Sequence, residues 1–294
     1  MNNNFYKCIL CNNAVSEAVK SNNYTYYICS FCKTAQLLPQ PSKVELNKYY
    51  SMFHLSSNEG GNYDWVEQRM ISDFISKVLI IKSFLSKSCQ KLLDVGCGKG
   101  FFIKEAIAHG FDATGIDISE SGINFAKNTL KLNVENISIE EYSKFESNQN
   151  KFDIVTLWAT IEHVSDPFSL LSSINKCLKK NGYLFLDTGL GNDKIEKFLT
   201  GHSQWYDALQ HLFVFSETGL KILLNKSGFE IISIDRNFER NKIRKYIRYL
   251  RHLYLSFISY LFLRPILGKS GFISMQKESK WPIGKLIQIV AKKV

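Results

Sequence analysis

Between residues 91 and 235, short apolar runs alternate with amphipathic stretches of helical period. The apolar runs predict strands at 91–95, 111–117, 134–139, 152–158, 183–188 and 229–235, with helices between most of them. Such alternation is typical of a parallel sheet covered by helices on both faces. A last apolar segment at 285–293 has no helix of ordinary length before it, so we expect it to pair antiparallel with 229–235. The prediction is an α/β, Rossmann-like fold with a seven-stranded sheet, six strands parallel and one antiparallel.

Residues at the predicted helix ends support this pattern. Ser119 and Asp166 stand at expected N-caps, Pro167 follows at a first helical position, and Gly182 is expected just past the end of that same helix. A further helix is predicted at 63–86, before the first strand of the sheet. Its apolar residues recur every three or four positions and are Trp65, Met70, Phe74, Val78, Ile81 and Phe84 or Leu85.

Four of the seven cysteines form two pairs near the N-terminus, Cys8-x2-Cys11 and Cys29-x2-Cys32. Two tight knuckles at this spacing supply four thiolates in a tetrahedral arrangement, which is the usual set for Zn²⁺. A segment of about 40 residues also needs such a cross-link to fold. We therefore predict a zinc ribbon at residues 1–40. Its Zn²⁺ is structural, because four cysteines leave no coordination position for water.

Length and charge narrow the class of protein. At 294 residues with 45% hydrophobic residues, the chain can bury a full core. The formal net charge of +10 suggests an acidic partner such as nucleic acid, anionic lipid or a phosphate-bearing substrate. The N-terminus lacks the pattern of a signal peptide and no long uncharged apolar run occurs, so we expect a cytoplasmic protein with reduced cysteines.

The stretch LLDVGCGKGFF at 92–102 places three glycines directly after the first strand of the sheet. A dinucleotide fingerprint requires a third glycine at position 101, where Phe101 stands. A phosphate-binding P-loop requires a following G-K-S/T, which is also missing. The pattern present is D-x-G-x-G-x-G, and Asp117 ends the second strand 23 residues after Asp94.

This pattern resembles the class I SAM-dependent methyltransferases, where SAM is S-adenosylmethionine. FDIVTLWATIEHVSDPFSLL, LKKNGYLFLDT and HLFVFSETGLKILLNKSGFE are similar to segments of the group related to ubiquinone-biosynthesis O-methyltransferases. The cysteine ribbon before such a domain resembles an arrangement of bacterial enzymes that modify sugars and polysaccharides. The resemblance implies SAM as cofactor, bound by the loop, by the ribose-binding acid, by adenine contacts after the third strand and by the end of the fourth strand. The implied residues are Asp94, Gly96, Cys97, Gly98, Gly100, Asp117, Ile118, Ser138, Ile139, Leu157 and Trp158.

The methyl acceptor is less constrained. Adenine and glutamine N-methyltransferases carry N/D-P-P-Y/F after the fourth strand, where this chain reads L-W-A-T, and the cysteine of cytosine C5 enzymes is also missing there. We predict transfer to a hydroxyl or carbon of a sugar, a glycan precursor or another small metabolite. The alternatives are an RNA or protein methyltransferase and a non-catalytic SAM-binding module.

Two histidines are candidate catalytic bases. His163 follows the fourth strand, and His211 lies in the long aromatic loop at 189–215, which we expect to form a substrate wall or lid. The alternative for His163 is that it and Glu162 only anchor the turn into the next helix.

A basic amphipathic segment at 240–264 follows the sixth predicted strand. Its apolar run is too short to span a bilayer. Three interpretations stay open: a helix on an anionic membrane surface at the inner face, a helix that covers the sheet or a second copy of the chain, and a nucleic-acid-binding face. The predicted domains are 1–40 (ribbon), 41–90 (linker and helices), 91–237 plus 284–294 (methyltransferase) and 238–283 (insertion).

Overall fold

A computed structural model describes residues 6–21, 24–42, 44–46, 63–85, 90–191, 205–236 and 285–294. The predicted basic segment at 240–264 and the rest of the 238–283 insertion lie outside these residues, as do residues 192–204 of the expected lid. Within the described ranges, no helix is both long and apolar enough to cross a membrane.

The chain divides into two compact units. Of the described residues, the ribbon unit contains those within Met1–Pro39, Gly189–Leu220 and Asp235–Gln288, and the α/β unit contains those within Gln40–Thr188, Lys221–Ile234 and Ile289–Val294. The described residues 189–191 and 205–220, which the sequence assigns to the methyltransferase domain, thus cluster with the cysteine ribbon. They do so because Phe213 and Val214 pair with the strand Ala35–Leu37 of the ribbon.

The ribbon unit is built on a four-stranded antiparallel sheet. Its strands, numbered along the whole chain, are β1 (Val15–Ser21), β2 (Tyr24–Cys29), β3 (Ala35–Leu37) and β9 (Phe213–Val214), in that spatial order. In β2, four aromatic and β-branched residues precede Ile28, a composition that favours strands. Tyr26 pairs with Leu37, and Ala35 pairs with Val214. The downstream segment therefore supplies the fourth strand of the ribbon.

The second sheet has seven strands. They are β4 (Lys91–Val95), β5 (Asp112–Asp117), β6 (Val134–Asn136), β7 (Phe152–Trp158), β8 (Leu178–Leu190), β10 (Phe229–Asp235) and β11 (Lys285–Lys293). The spatial order is β10-β11-β8-β7-β4-β5-β6, and β6, β5, β4, β7 and β8 pair in parallel. The backbone N of Val294, just after β11, donates to the carbonyl of Gly228, just before β10 (3.3 Å), so these two strands run antiparallel. The predicted seven-stranded fold with one antiparallel strand is confirmed.

The described α-helices include α1 (Tyr63–Ser83), α2 (Phe101–Ala108), α3 (Glu120–Asn128), α4 (Ile139–Tyr142), α5 (Pro167–Cys177) and α6 (Glu217–Lys226). The two predicted N-caps are confirmed. The Ser119 hydroxyl accepts a hydrogen bond from the Gly122 N–H, and Asp166 accepts bonds from the N–H groups of Phe168 and Ser169. Each cap satisfies donors that the first helical turn cannot pair internally.

The predicted end of α5 at Gly182 is wrong. The helix ends at Cys177, and β8 begins at once with the fully buried Leu178, which pairs with Phe152 of β7. The Lys179 ammonium also contacts the Asp153 carboxylate at 2.7 Å. Pairing with β7 and burial of Leu178 thus outweigh the local helical propensity of this polar stretch.

The α/β unit is centred on one apolar core. Val78 and Ile81 of α1 are fully buried there, as the predicted helical spacing requires, together with Leu92 of β4 and Ile154 of β7. Burial of aliphatic side chains contributes roughly 1.5–3 kcal/mol each, so this core holds the carboxyl ends of β4, β5 and β7 in a fixed arrangement. Those strand ends carry the predicted cofactor residues.

Candidate functional site

The glycine-rich loop between β4 and α2 has a backbone that glycine alone adopts easily. Gly96, Gly98 and Gly100 have φ angles of 77°, 53° and 78°. The N–H groups of Gly96 and Cys97 both donate to the Ile116 carbonyl of β5, at 2.9 and 3.1 Å. A Cβ atom on Gly96 would lie 2.4 Å from the Thr160 hydroxyl oxygen. The loop therefore forms a cradle, and its shape requires residues without a side chain at these glycine positions.

Asp117 at the end of β5 fixes this loop. One carboxylate oxygen accepts the Gly98 N–H and the other accepts the Ser119 N–H, both at 2.7 Å. A carboxylate offers about four lone-pair sites, so each oxygen retains capacity for a further donor. The neighbouring Ile118 is 65% exposed, which leaves an apolar surface beside the carboxylate. This combination suits a ribose with an attached flat base.

Asp94, the leading acid of the motif, is buried at the end of β4. Its carboxylate accepts a hydrogen bond from the Thr156 hydroxyl of β7 at 2.7 Å. Burial raises the pKa of Asp94 to about 7, against the lowering effects of Thr156 and Lys77. Burial likewise raises the pKa of the Cys97 thiol in the loop. Asp94 thus connects two neighbouring strands and can exist in either protonation state near neutral pH.

A buried ion pair joins α1 to the carboxyl end of β8, beside the end of β7. The Lys77 ammonium of α1 lies 2.8 Å from the Asp187 carboxylate and 4.6 Å from the centre of the Trp158 ring. Asp187 also accepts the N–H of Ala159 at 2.8 Å. Ala159 has a φ angle of 44°, which an L-residue adopts only at a cost. Leu157 and Trp158, which the sequence predicts beside the sulfonium, are both buried. They directly precede this strained residue, whose N–H is held by Asp187.

The predicted adenine contacts lie in the short helix α4. The Ser138 hydroxyl caps this helix by accepting the Glu141 N–H at 3.3 Å, and Ile139 is buried. Asn136 ends β6, is exposed, and donates to the Asp117 carbonyl at 2.9 Å. The sequence pattern does not single out Asn136 as a residue of this edge. The available signal was a polar residue two positions after the buried Val134.

His163 ends a short 3-10 turn, Ile161–His163, which follows β7. Its ring is half-buried, whereas the preceding Glu162 is only 3% exposed. Burial raises the pKa of Glu162 to about 7, and the charge of Asp187 acts in the same direction. Glu162 Oε2 and Trp158 Nε1 belong to the buried side-chain atoms that have no hydrogen-bond partner within the described part of the chain. These two atoms are unsatisfied polar groups at the same strand edge as the loop.

His211 belongs to the ribbon unit and is 7% exposed. Its Nδ1 lies 3.1 Å from the Trp205 carbonyl, and its ring lies 5.6 Å from the Trp205 ring. A carbonyl oxygen only accepts, so Nδ1 carries a hydrogen, and in the neutral imidazole Nε2 is then the accepting atom. The sequence did not indicate that His211 belongs to the same unit as the cysteine pairs.

The four paired cysteines come together in the ribbon unit. Cys8 and Cys32 have Sγ atoms 3.6 Å apart, Cys11 and Cys29 have Sγ atoms 3.4 Å apart, and all four sulfurs lie within 4.8 Å of one another. Four thiolates bound at the usual zinc distance would be separated by about 3.8 Å. The hydrogen bond between Cys8 and Cys32 lowers the pKa of the Cys32 thiol and raises that of the Cys8 thiol, so Cys32 is the first of the two to form a thiolate. The geometry fits a tetrahedral metal ion.

Part of the chain is similar in sequence to known methyltransferases. A protein-family model described as a methyltransferase domain matches residues 65–234. A ubiquinone biosynthesis O-methyltransferase of Hydrogenovibrio crunogenus is 30% identical over 149 residues, which cover 49% of this chain and 59% of that protein. Another, from Dechloromonas aromatica, is 34% identical over 119 residues, covering 39% and 50%. The chain spans about half the length of the curated relatives it matches.

Solved structures show the same fold. A SAM-dependent methyltransferase from Archaeoglobus fulgidus aligns with a TM-score of 0.51 at 20% identity, over 79% of this chain and 100% of that one. At such identity the likeness bears on the fold alone. The matched family region exceeds half of the chain and includes the glycine loop, Asp117 and His163. The chain therefore belongs to the methyltransferase domain family and has the fold of the class I SAM-dependent methyltransferases.

Proposed function

We propose that this protein transfers a methyl group from SAM to a hydroxyl group of a small molecule. The observation that carries the proposal is the glycine cradle closed by Asp117, whose two carboxylate oxygens accept the N–H groups of Gly98 and Ser119. The names of the curated relatives favour oxygen over carbon as the methylated atom. A sugar or glycan precursor is the acceptor class that we propose to assay first.

The residues present suit the cofactor. Positive φ angles at Gly96, Gly98 and Gly100 keep side chains away from the cradle, and Asp117 has lone pairs left for ribose hydroxyls. The exposed Ile118 offers apolar surface to the adenine. When bound, SAM supplies an electrophilic methyl group. The chain's own contribution is then to orient the ligand and to exclude water from the strand edge.

A hydroxyl acceptor must lose its proton during transfer, so a base is needed. We propose His163 as this base, because its ring is half-buried directly after β7 and can accept a proton as neutral imidazole. His211 is the second candidate, and its Nδ1 contact with the Trp205 carbonyl leaves Nε2 as the accepting atom.

Titration of the protein with SAM and with its product S-adenosylhomocysteine tests cofactor binding. We expect Asp117→Ala to weaken both affinities by at least about tenfold, because it removes a charged acceptor. Asp112→Ala is the matched control, since this exposed aspartate begins the same strand. Equal affinities for the two variants would contradict the proposed cofactor site.

Transfer of a labelled methyl group identifies the acceptor. We expect label on hydroxyl-bearing sugars or other small metabolites, and a fall in turnover of about 10²-fold or more in His163→Ala. Label that appears only on RNA or protein would overturn the proposed acceptor class. SAM binding without turnover on every acceptor class would favour a binding module instead.

We also propose that the four cysteines bind one structural Zn²⁺. The support is the mutual approach of their sulfurs and the Gln36 side chain, which accepts the Ile9 N–H (3.0 Å) and donates to the Lys7 carbonyl (3.1 Å), bracing the first knuckle. Elemental analysis should find one zinc per chain, lost in Cys11→Ser and retained in Cys177→Ala. Cys177 is the control because it lies in α5, apart from the ribbon.

A further inference from the structure

The fourth strand of the ribbon sheet comes from the segment that carries His211. β3 pairs with β2 on one side and with β9 on the other, through Gln36 opposite Phe213 and Ala35 opposite Val214. The Leu37 N–H donates to the Leu212 carbonyl at 2.9 Å, which continues the pairing to the residue after His211. Residues 205–216, which we call the histidine segment, are therefore integrated into the ribbon by backbone hydrogen bonds.

Tyr26 of β2 makes the most direct contact with His211. Its hydroxyl donates to the His211 carbonyl at 2.6 Å, and its ring packs edge-on against Tyr206 with centroids 5.1 Å apart. Tyr26 is fully buried, so its hydroxyl has no competing water. A short hydrogen bond in such surroundings fixes the backbone from which the imidazole projects.

The second cysteine knuckle contacts the other end of the histidine segment. The Ser216 hydroxyl donates to the carbonyl of the ligand residue Cys32, and the Ser216 N–H donates to the Thr34 hydroxyl at 3.2 Å. Ser216 also caps the N-terminus of α6, since its hydroxyl accepts the Gly219 N–H at 2.9 Å. A Cβ atom on Gly219 would lie 2.0 Å from the Thr34 hydroxyl oxygen, so the knuckle and the helix start are in close contact.

These contacts hold both ends of a segment whose middle orients the imidazole. Inside the segment, the His211 N–H donates to the Asp207 carbonyl at 2.9 Å, and Nδ1 faces the Trp205 carbonyl at 3.1 Å. The imidazole orientation therefore depends on the ribbon, and the ribbon depends on its four cysteines.

We propose that the cysteine ribbon is the structural support of the histidine segment, and that Tyr26 is the positioning residue for His211. A metal-bound ribbon is then a fixed part of the unit that presents this histidine. The role of His211 in turnover rests on the proposed function, whereas the support of residues 205–216 by the ribbon does not.

Hydrogen exchange on the full chain, with zinc bound and after chelation, tests the support. We expect amide exchange in peptides from 205–216 to accelerate by at least about tenfold on chelation, since their partners in β2 and β3 lose their order. Peptides from 92–117 in the α/β unit serve as the control and should keep their protection. Unchanged protection of 205–216 in zinc-free protein would overturn the proposal.

Tyr26→Phe tests the positioning role without disturbing the metal. The variant keeps the buried ring and loses the hydroxyl, leaving the His211 carbonyl without its donor. We expect unchanged zinc content and SAM affinity, a shifted imidazole NMR signal of His211, and exchange at Leu212 faster by about tenfold. Tyr27→Phe is the matched control, because this neighbour in β2 contacts Tyr6 instead.

The activity arm separates this inference from the proposed function. For an active enzyme, we expect Tyr26→Phe to lower kcat about tenfold and shift its pH profile, with KM for SAM unchanged, and Tyr27→Phe to do neither. If no acceptor is methylated, the exchange and NMR results still decide the inference. An unmoved His211 signal in Tyr26→Phe contradicts it even if the enzyme is active.

Discussion

Gly96, in the glycine loop between β4 and α2, is subject to both a local and a tertiary constraint. Its φ of 77° lies in the left-handed region, and a Cβ atom there would clash with Thr160 at 2.4 Å. The first property follows from a strand-to-helix turn that glycine residues permit. The second arises only because the turn after β7 folds against the loop.

Gly96→Ala should therefore disturb both the fold and the cofactor site. We expect a loss of roughly 2 kcal/mol or more in the free energy of unfolding and at least tenfold weaker SAM binding, from strain plus overpacking. Gly110→Ala is the control: its φ is 91°, with no atom within 4 Å of the added Cβ. The free energy of unfolding of Gly110→Ala should fall by roughly 1 kcal/mol, and its SAM affinity should be unchanged. Urea denaturation and SAM titration of both variants check this. If Gly96→Ala and Gly110→Ala lowered stability and SAM affinity equally, the contact with Thr160 would have no role.

Glu162 makes the stability of the chain depend on pH. Its pKa of about 7 in the folded protein exceeds the ordinary value of 4.5, so unfolding releases a proton between these two pH values. The free energy of unfolding should fall as pH rises through this window, by about 1.4 kcal/mol per pH unit at most. The pKa of Asp94 is also raised to about 7, so Asp94 lowers the free energy of unfolding further as pH rises from about 4 to about 7.

Glu162→Gln should flatten part of this pH dependence. We expect the variant to gain stability relative to the parent at pH 8 and to gain little or nothing at pH 4, measured by urea denaturation across the range. Glu230→Gln, at an exposed position of β10, is the control and should leave the profile unchanged. A parent and Glu162→Gln with parallel profiles would show that burial of Glu162 does not raise its pKa.

At the scale of elements, α1 is connected to the sheet by one buried cation. Burial alone lowers the pKa of Lys77, but the charges of Asp187 and Asp73 outweigh it and the net shift is upward. The ammonium joins α1 to the end of β8 through Asp187 and lies over the Trp158 ring of β7. The sequence of this helix indicates only its apolar face, so the polar contact of Lys77 is known from the tertiary structure alone.

Lys77→Met should destabilise the α/β unit strongly. Removing one partner leaves Asp187 buried without its cation, at a cost of about 3–5 kcal/mol. Adding Asp187→Asn to that variant should restore a large part of the loss, and Lys82→Met, at an exposed position of α1, should change stability by less than about 0.5 kcal/mol. Thermal and urea unfolding of the four proteins check this. Additive losses in the double variant would show that the pair does not interact.

Helix ends and strand partners differ in how far local sequence determines them. Ser119 and Asp166 are recognisable caps because their side chains bond to N–H groups within three residues. The end of α5 depends on Leu178 meeting Phe152, a partner distant in sequence. The same holds for β9, a strand of two residues that exists through its pairing with β3.

At the scale of the whole molecule, the net charge of +10 favours binding to an anionic partner. The basic segment within 240–264 concentrates it at Arg240, Lys242, Arg244, Lys245, Arg248 and Arg251. We propose that this segment binds an anionic membrane surface. The protein should then float with phosphatidylglycerol vesicles, less so as salt rises, and a variant lacking 240–264 should not. Failure to bind at low salt would exclude this interpretation and favour a cover for the sheet or a second copy.

The sequence by itself determined the α/β fold class, most strand positions, the glycine loop followed by Asp117, and the two cysteine pairs. These features depend on periodicity, backbone conformation or ligand spacing within short stretches, where neighbouring residues carry the information. Only the tertiary structure decided that residues 205–216 complete the ribbon sheet, that Lys77 joins Asp187, and that Tyr26 bonds to the His211 carbonyl. Each of these is a contact between residues far apart along the chain, and its energy exists only after the intervening segments have packed.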